Sequence, residues 1–244
     1  MENPEKISTG SYDFNDFLEG GYEKGIVSMI VGGPGSGKTN FAILVACSVA
    51  RTSKVIFIDT EGGFSVERVR QIVGENYDTI LKNIFLLNPV DFKEQRDNFN
   101  SLNQYLKSGD VGLVVVDSMA MQYRIELGEA VQSEDGDKIK NVNREIANQM
   151  KTLVEIARKK DIPVFITNQT YTEFLPFEKL EEGLEKTTHI VGGDLFKYWA
   201  KCIIELKHKG KTRKAILLKH RSLANKELSF EIKDLGIFKK SGLF

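Results

Sequence analysis

The segment Gly32-Gly33-Pro34-Gly35-Ser36-Gly37-Lys38-Thr39 has the composition and spacing of a loop that wraps phosphate, G-x-x-x-x-G-K-[ST]. Glycines let successive backbone N–H groups turn toward one anion, and a helix opening behind them adds partial positive charge. In that reading Lys38 reaches the β- and γ-phosphates of ATP, Thr39 ligates Mg²⁺, and Asn40 completes the nucleotide-binding set. A glycine-rich turn arising by chance has a similar composition. The position of the whole pattern, between an apolar run and a helical run, favours the cradle.

Two strand ends supply carboxylates. The run Gly112 to Asp117, GLVVVD, ends in an acid followed by Ser118. Beside a phosphate cradle such an acid holds Mg²⁺, usually through water; taken alone, it equally caps the next turn. A second run, Val55 to Ile58, stops at Asp59-Thr60-Glu61. Ligands of open α/β sheets gather at the carboxyl ends of the strands. A carboxylate there can orient and deprotonate a water attacking the γ-phosphate. Asp59 and Glu61 project to one side of an extended strand. Glu61, the outer of the two, is the expected base, and Asp59 the scaffold. A third run ends in ITNQT, where Asn168 and Gln169 either close a loop or sense the γ-phosphate through an amide donor. Lys38, Glu61 and Gln169 are thus the candidate catalytic set.

These residues need a sheet to align them. Strands are expected over Gly25–Val31, Lys54–Asp59, Asn83–Leu87, Gly112–Asp117 and Ile162–Thr167. Helices are expected over Thr39–Ala50, Ser65–Gly74, Asp91–Lys107 and Asp137–Lys160. Strand alternating with helix predicts an α/β fold with a mainly parallel sheet. Beyond Gly193 the texture changes: Lys201–Leu206, Arg213–Lys219 and Glu227–Ile232 follow one another without helices, predicting an antiparallel extension. Glu126 to Asp137 and Tyr171 to Ile190 read as the least ordered stretches.

At 244 residues the chain can build one substantial core or two small ones. No linker, repeat or low-complexity segment divides it, so a single domain over 1–244 is expected. A formal net charge of zero excludes a nucleic-acid binder that relies on bulk positive charge; contacts must come from local patches. Cys47 and Cys202 lie among apolar neighbours without metal-ligand spacing and read as buried free thiols of a reducing cytosol. No apolar run approaches the roughly 20 residues that span a bilayer. Met1 to Gly10 lacks a signal-peptide pattern. The expectation is a cytoplasmic protein with no membrane partner.

Taken in this order, the pieces resemble the RecA/RadA recombinase superfamily over essentially the whole chain. The resemblance is carried by STGSYDFNDFLEGGYEKG, DTEGGFSVER, DFKEQR, VVVDSMAMQYR, IARKKDIPVFITNQ and KHRS as well as the cradle. It implies a RecA-like P-loop NTPase core that binds ATP, Mg²⁺ and DNA, single-stranded DNA preferred, and serves homologous recombination and repair beside the main recombinase. It also implies that Glu61 activates water, that Arg68 packs against adenine, that Tyr123 and Arg124 stand on a first DNA-facing loop, and that Tyr171 to Ile190 forms the second. The main recombinases carry an N-terminal helical DNA-binding domain and a Phe-x-x-Ala polymerisation motif. Only about ten residues precede the core here, without that motif, so self-association stays open and a filament is not expected.

Charge distribution adds three expectations. Glu126 to Asp137 and the second loop are acidic, which repels phosphate, although Tyr171, Phe174 and Phe177 either stack bases or pin that loop to the core. Lys207, Lys209, Lys211, Arg213 and Lys214 surround a turn and form either a phosphate-tracking ridge for DNA or a solvated sheet edge. Lys219 and Arg221 point the same way on a strand, and in related superfamily members, including the KaiC-like ATPases, basic residues here touch the γ-phosphate of a neighbouring subunit. The leading functional reading is a recombinase paralogue with slow, DNA-modulated ATPase activity. The alternatives are a non-hydrolysing, ATP-switched mediator that regulates the main recombinase or a junction-processing nuclease, and a KaiC-like signalling ATPase.

Overall fold

The computed structural model describes residues 4–107, 109–172, 188–210 and 212–240. A ribbon of β1 (Lys6–Ile7) and β2 (Tyr22–Glu23) brackets helix α1 (Tyr12–Phe17). An alternating stretch follows: β3 (Val27–Gly32), α2 (Lys38–Val49), β4 (Lys54–Asp59), α3 (Val66–Val73), α4 (Tyr77–Lys82), β5 (Ile84–Leu87), α5 (Phe92–Lys107) and β6 (Val111–Asp117). Helices α6 (Met121–Gln132) and α7 (Gly136–Lys160) lead to β7 (Val164–Thr172). Then come β8 (Thr188–Ile190), α8 (Asp194–Trp199), β9 (Cys202–Lys209), β10 (Thr212–Lys219), β11 (Glu227–Lys233) and β12 (Gly236–Lys239).

The main sheet runs β12-β11-β10-β9-β3-β7-β6-β4-β5. From β9 to β5 every pairing is parallel, and from β9 to β12 every pairing is antiparallel. Parallel strands are covered on both faces, so both alternating sets of side chains must be apolar. β4 shows this: Val55 and Phe57 enter the layer built with α2 and α3, while Ile56 and Ile58 enter the layer built with α5 and α7. α2 is buried nearly all round, since Phe41 packs edge-on against both Phe14 and Phe230 at 4.6 and 5.4 Å between ring centroids. A helix so enclosed is fixed in place, and with it the cradle at its N-terminus. Among the described residues no helix is long and apolar enough to cross a membrane.

Three stretches differ from expectation. Glu126 to Asp137 is mostly helical, because the acids line the outer side of a helical hairpin: Ala130 is buried, and Lys138 of α7 reaches Glu126 at 3.1 Å and Glu129 at 3.6 Å. Asp135 then caps α7 by accepting from the backbone N–H of Asp137 and Lys138. β7 runs past Thr167 to Thr172, because its extension finds an antiparallel partner in β8. Residues 173–187, most of the second expected loop and including Phe174 and Phe177, lie outside the described residues; Tyr171 is 52% exposed with its ring 5.5 Å from that of His189.

Candidate functional site

Parallel register sets the site before any side chain is considered. Gly32 of β3 lies beside Gln169 of β7, and Asp59 of β4 beside Asp117 of β6. At the cradle, Gly37 holds φ at 109°, a backbone conformation that favours glycine, and a Cβ there would meet Ile232 Cδ1 at 2.6 Å, a contact that the mobile tip of that side chain can relieve. A Cβ on Gly32 would meet Ser36 Oγ at 2.6 Å and the Leu206 carbonyl oxygen at 2.7 Å. Lys38 folds back over the loop, donating to the carbonyls of Gly32 and Gly33 at 3.0 Å each. Burial lowers its pKa, and the carboxylates of Glu61 and Asp117 oppose that shift.

Asp117 is buried. Its Oδ1 accepts from the Thr167 hydroxyl, and its Oδ2 is buried with no partner. Burial pushes its pKa up to about 6, against the hydroxyls of Thr167 and Thr39, which favour the ionised form. An orphaned, buried carboxylate oxygen beside a threonine hydroxyl is what a hard divalent cation satisfies, so the residues present fit Mg²⁺.

The end of β4 divides its polar groups cleanly. Asp59 Oδ1 accepts from the backbone N–H of Glu61 at 3.2 Å and of Gly63 at 3.1 Å, and Oδ2 from that of Phe64 at 2.8 Å. Its carboxylate is thus consumed in shaping the turn. Thr60 exchanges hydrogen bonds with Ser118 through its hydroxyl, donating to the carbonyl at 2.8 Å and accepting from the N–H at 2.9 Å. Only Glu61 is left facing outward. Its Oε1 accepts from Ser118 Oγ at 2.5 Å and from Gln169 Nε2 at 3.0 Å. Gln169 Oε1 in turn accepts from Arg124 at 3.3 Å. Asn168 points the other way, donating to the Val191 carbonyl at 2.9 Å. Of the two amides, then, one closes the fold and one joins the carboxylate. A cavity of about 520 Å³ brings Lys38, Thr39, Asn40, Glu61 and Gln169 together with Arg213 and Ile232.

Other candidates take different places. Arg68 grips the turn between β11 and β12, donating to the carbonyls of Lys233 and Asp234 at 2.9 Å each. Tyr123 is only 5% exposed, between Phe92 and Phe196, with its hydroxyl on Asn143 at 2.7 Å. That corrects the expectation of a DNA-facing ring: the aromatic body finds an apolar pocket and its hydroxyl a partner, so no ring face remains for a base. Lys207 and Lys214 are cross-strand partners, paired with Glu205 at 3.5 Å and Glu227 at 2.7 Å, while the side chain of Lys209 lies outside the described residues. Arg213 does not join them, because the same register puts it on the opposite face; Lys211 lies outside the described residues. Lys219 and Arg221 are also parted. An irregularity between Leu217 and Lys219 turns Lys219 to the Lys197 carbonyl at 2.7 Å, while Arg221 pairs with buried Glu23. Sequence reasoning missed Ser118 as a Glu61 partner and Arg213 as a wall of the cavity. For Arg213 the signal was present, since it alternates in phase with the apolar Ala215 and Leu217. Both cysteines are buried free thiols, their pKa values pushed up to about 12 by burial.

A parallel sheet of this order, flanked by helices, extended by antiparallel strands and carrying a G-x-x-x-x-G-K-T loop after β3, is the RecA-like fold of P-loop NTPases. A sequence model of the Rad51 family matches residues 3–240, and the chain belongs to that family. It is 37% identical over 243 residues to the DNA repair and recombination protein RadB of Methanobrevibacter smithii, covering 97% of each chain. It is also 37% identical over 222 residues to the RadB of Methanocaldococcus jannaschii, covering 91% of this chain and 97% of that one. The crystal structure of the RadB recombinase aligns with a TM-score of 0.74 at 31% identity, covering 96% of this chain and 100% of that one.

Proposed function

We propose that the chain binds ATP with Mg²⁺ at the cradle, hydrolyses it slowly under the control of DNA, and works beside the main recombinase in recombinational repair. Family membership and the similarity to DNA repair and recombination proteins RadB support the repair role. Thr39 and Asp117 would hold Mg²⁺, which would neutralise charge on the phosphoryl group in transfer. Lys38, which here donates to the Gly32 and Gly33 carbonyls of the loop, would turn to the β- and γ-phosphates, and Glu61 would take the proton of an attacking water.

The observation that carries DNA control is the hydrogen-bonded series Arg124–Gln169–Glu61–Ser118. A DNA phosphate that draws Arg124 away releases the oxygen of Gln169, and the same amide orients Glu61. Single-turnover ATP hydrolysis with and without single-stranded DNA tests this. The expected result is slow turnover whose rate responds to DNA and loses that response in Arg124→Ala. A wild-type rate indifferent to DNA would end the DNA-modulated reading.

A second reading, the ATP-switched mediator that hardly turns over, is favoured by one feature. Lys219 and Arg221 are both engaged within their own chain, so neither is free to serve a neighbour's phosphate. ATP-dependent binding to the main recombinase or to a junction-processing nuclease, with no measurable hydrolysis, would select it.

A further inference from the structure

The basic residues of the β9–β10 hairpin look alike in sequence, but one stands apart in its surroundings. Arg213 shares a face of the sheet with Leu206, Ala215 and Phe230, all in the core layer that contains α2. Ile232 follows Phe230 on that same face of β11 and lies so close to Gly37 that a Cβ there would strike it at 2.6 Å. β10 and β11 therefore lean on the phosphate-wrapping loop itself. Arg68 pins the far end of the same wall by holding the Lys233 and Asp234 carbonyls. Arg213 lines the cavity that also holds Lys38, Thr39 and Glu61. Its Nε is buried without a hydrogen-bond partner, and it forms no ion pair with any described residue. The neighbouring Lys207 and Lys214, on the opposite face, are both paired with glutamates.

A half-buried cation with an unsatisfied donor is costly unless something anionic completes it. Glu61 lines the same cavity but is already bonded to Ser118 and Gln169. We infer that Arg213 is a nucleotide ligand acting within its own chain, a second cation beside Lys38 that grips the phosphate chain of a bound nucleoside di- or triphosphate. The inference rests on the nucleotide-binding reading above and deepens it. Guanidinium suits this place because its planar fork can satisfy two phosphate oxygens at once, which an ammonium cannot. It also gives the antiparallel extension a function, since β10 and β11 then close the nucleotide site from the side opposite Glu61.

Equilibrium binding of fluorescent ATP, ADP and AMP analogues in the presence of Mg²⁺ tests it, on the full chain and on Arg213→Ala, Arg213→Lys and Lys38→Ala. The expected result is a loss of about 10–100-fold in ATP and ADP affinity for Arg213→Ala, partial recovery in Arg213→Lys, and little change for AMP. Thermal melts without nucleotide identify any variant that fails to fold, and Arg213→Lys, which keeps the charge and stem, then carries the comparison. If Lys38→Ala loses ATP while Arg213→Ala and Arg213→Lys bind as wild type, the inference is overturned and the nucleotide-binding reading stands. If wild type binds no nucleotide, both fall. If Arg213→Ala loses single-stranded DNA affinity but keeps ATP affinity, Arg213 belongs to a DNA ridge instead and the inference is overturned.

Discussion

β4 ends in Asp59-Thr60-Glu61 and β10 ends in Lys219-His220-Arg221. Each strand closes on two like charges separated by one residue, β4 almost wholly buried and β10 buried only at Ala215 and Leu217. The structure treats them in opposite ways. At β4 the inner carboxylate is consumed by three backbone amides, which folds the turn and leaves the outer carboxylate at the cavity. At β10 both cations are consumed by their own chain, Lys219 by a helix-terminal carbonyl and Arg221 by Glu23. A charge that is to do chemistry needs a neighbour that takes over the structural work. Asp59 does so for Glu61, whereas nothing does so for Lys219 or Arg221.

The largest expected effect breaks the chemical side of that contrast. Glu61→Gln keeps the shape and one acceptor for Ser118 and Gln169 but removes the proposed base, and on that proposal single-turnover hydrolysis should fall by about 10²–10⁴-fold. Nucleotide affinity should change little. A rate within threefold or so of wild type would assign water activation elsewhere.

Next comes the structural side of the same strand end. Asp59→Ala leaves three backbone N–H groups without their acceptor and should cost about 2–4 kcal/mol in urea unfolding. Hydrolysis should fall with it, because the turn that presents Glu61 loses its frame. A variant as stable as wild type would mean that water replaces the carboxylate and that the division of labour between Asp59 and Glu61 is not physical.

How far such divisions can be read in advance depends on where the partner lies. The parallel core was legible because β4 and β6 must be apolar on both faces. The cradle was legible because glycine is demanded by backbone geometry at positions such as Gly37. Asp59 and Glu61 were separable because their order along the strand sets which one reaches further. The burial of Tyr123 was not, since its pocket is formed by Phe92, Asn143 and Phe196, all remote in sequence. The acids of α6 resemble a loop because their counter-charge, Lys138, lies just beyond the run. Lys219 and Arg221 read as a pair because period-two alternation cannot foresee the irregularity that follows Leu217.

Arg221→Ala sharpens the other strand end. It leaves the Glu23 carboxylate, 1% exposed, without its cation. Because Arg221 itself is 45% exposed, the expected loss is about 1–3 kcal/mol, below that of a fully enclosed pair. The companion measurement mixes Glu61→Gln with Lys219→Ala/Arg221→Ala. Cations held within their own chain predict no recovery of hydrolysis, whereas a rate above the sum of the two variants alone would show that self-association releases them to act on a neighbour.

The smallest expected effect lies in the residue between those cations. His220 Nδ1 accepts from the N–H groups of Ser222 and Leu223 at 3.2 Å each, so the neutral ring carries its proton on Nε2, which lies 3.8 Å from Glu23. Burial lowers the imidazole pKa below its ordinary 6.5; Glu23 opposes the shift, while Lys6, Arg221 and Lys226 reinforce it. As the pH falls through the ordinary value, the unfolded chain takes up a proton that the folded chain still refuses. The unfolded state then binds more protons, so stability rises with pH: His220's contribution is present above about 6.5 and is lost as the pH falls toward the lowered folded value. Asp117, whose pKa is raised to about 6, acts with the opposite sign in a neighbouring window, and comparing wild type with His220→Asn cancels its contribution. Asparagine can keep the acceptor for Ser222 and Leu223 but cannot titrate. The difference in unfolding free energy between about pH 7.5 and about pH 5.5 should therefore be less stabilising toward high pH in His220→Asn, by less than the Arg221→Ala loss. Identical pH dependences would mean that His220 takes its proton as readily in the folded chain as in the unfolded one, and that its burial against Glu23 leaves no mark on stability.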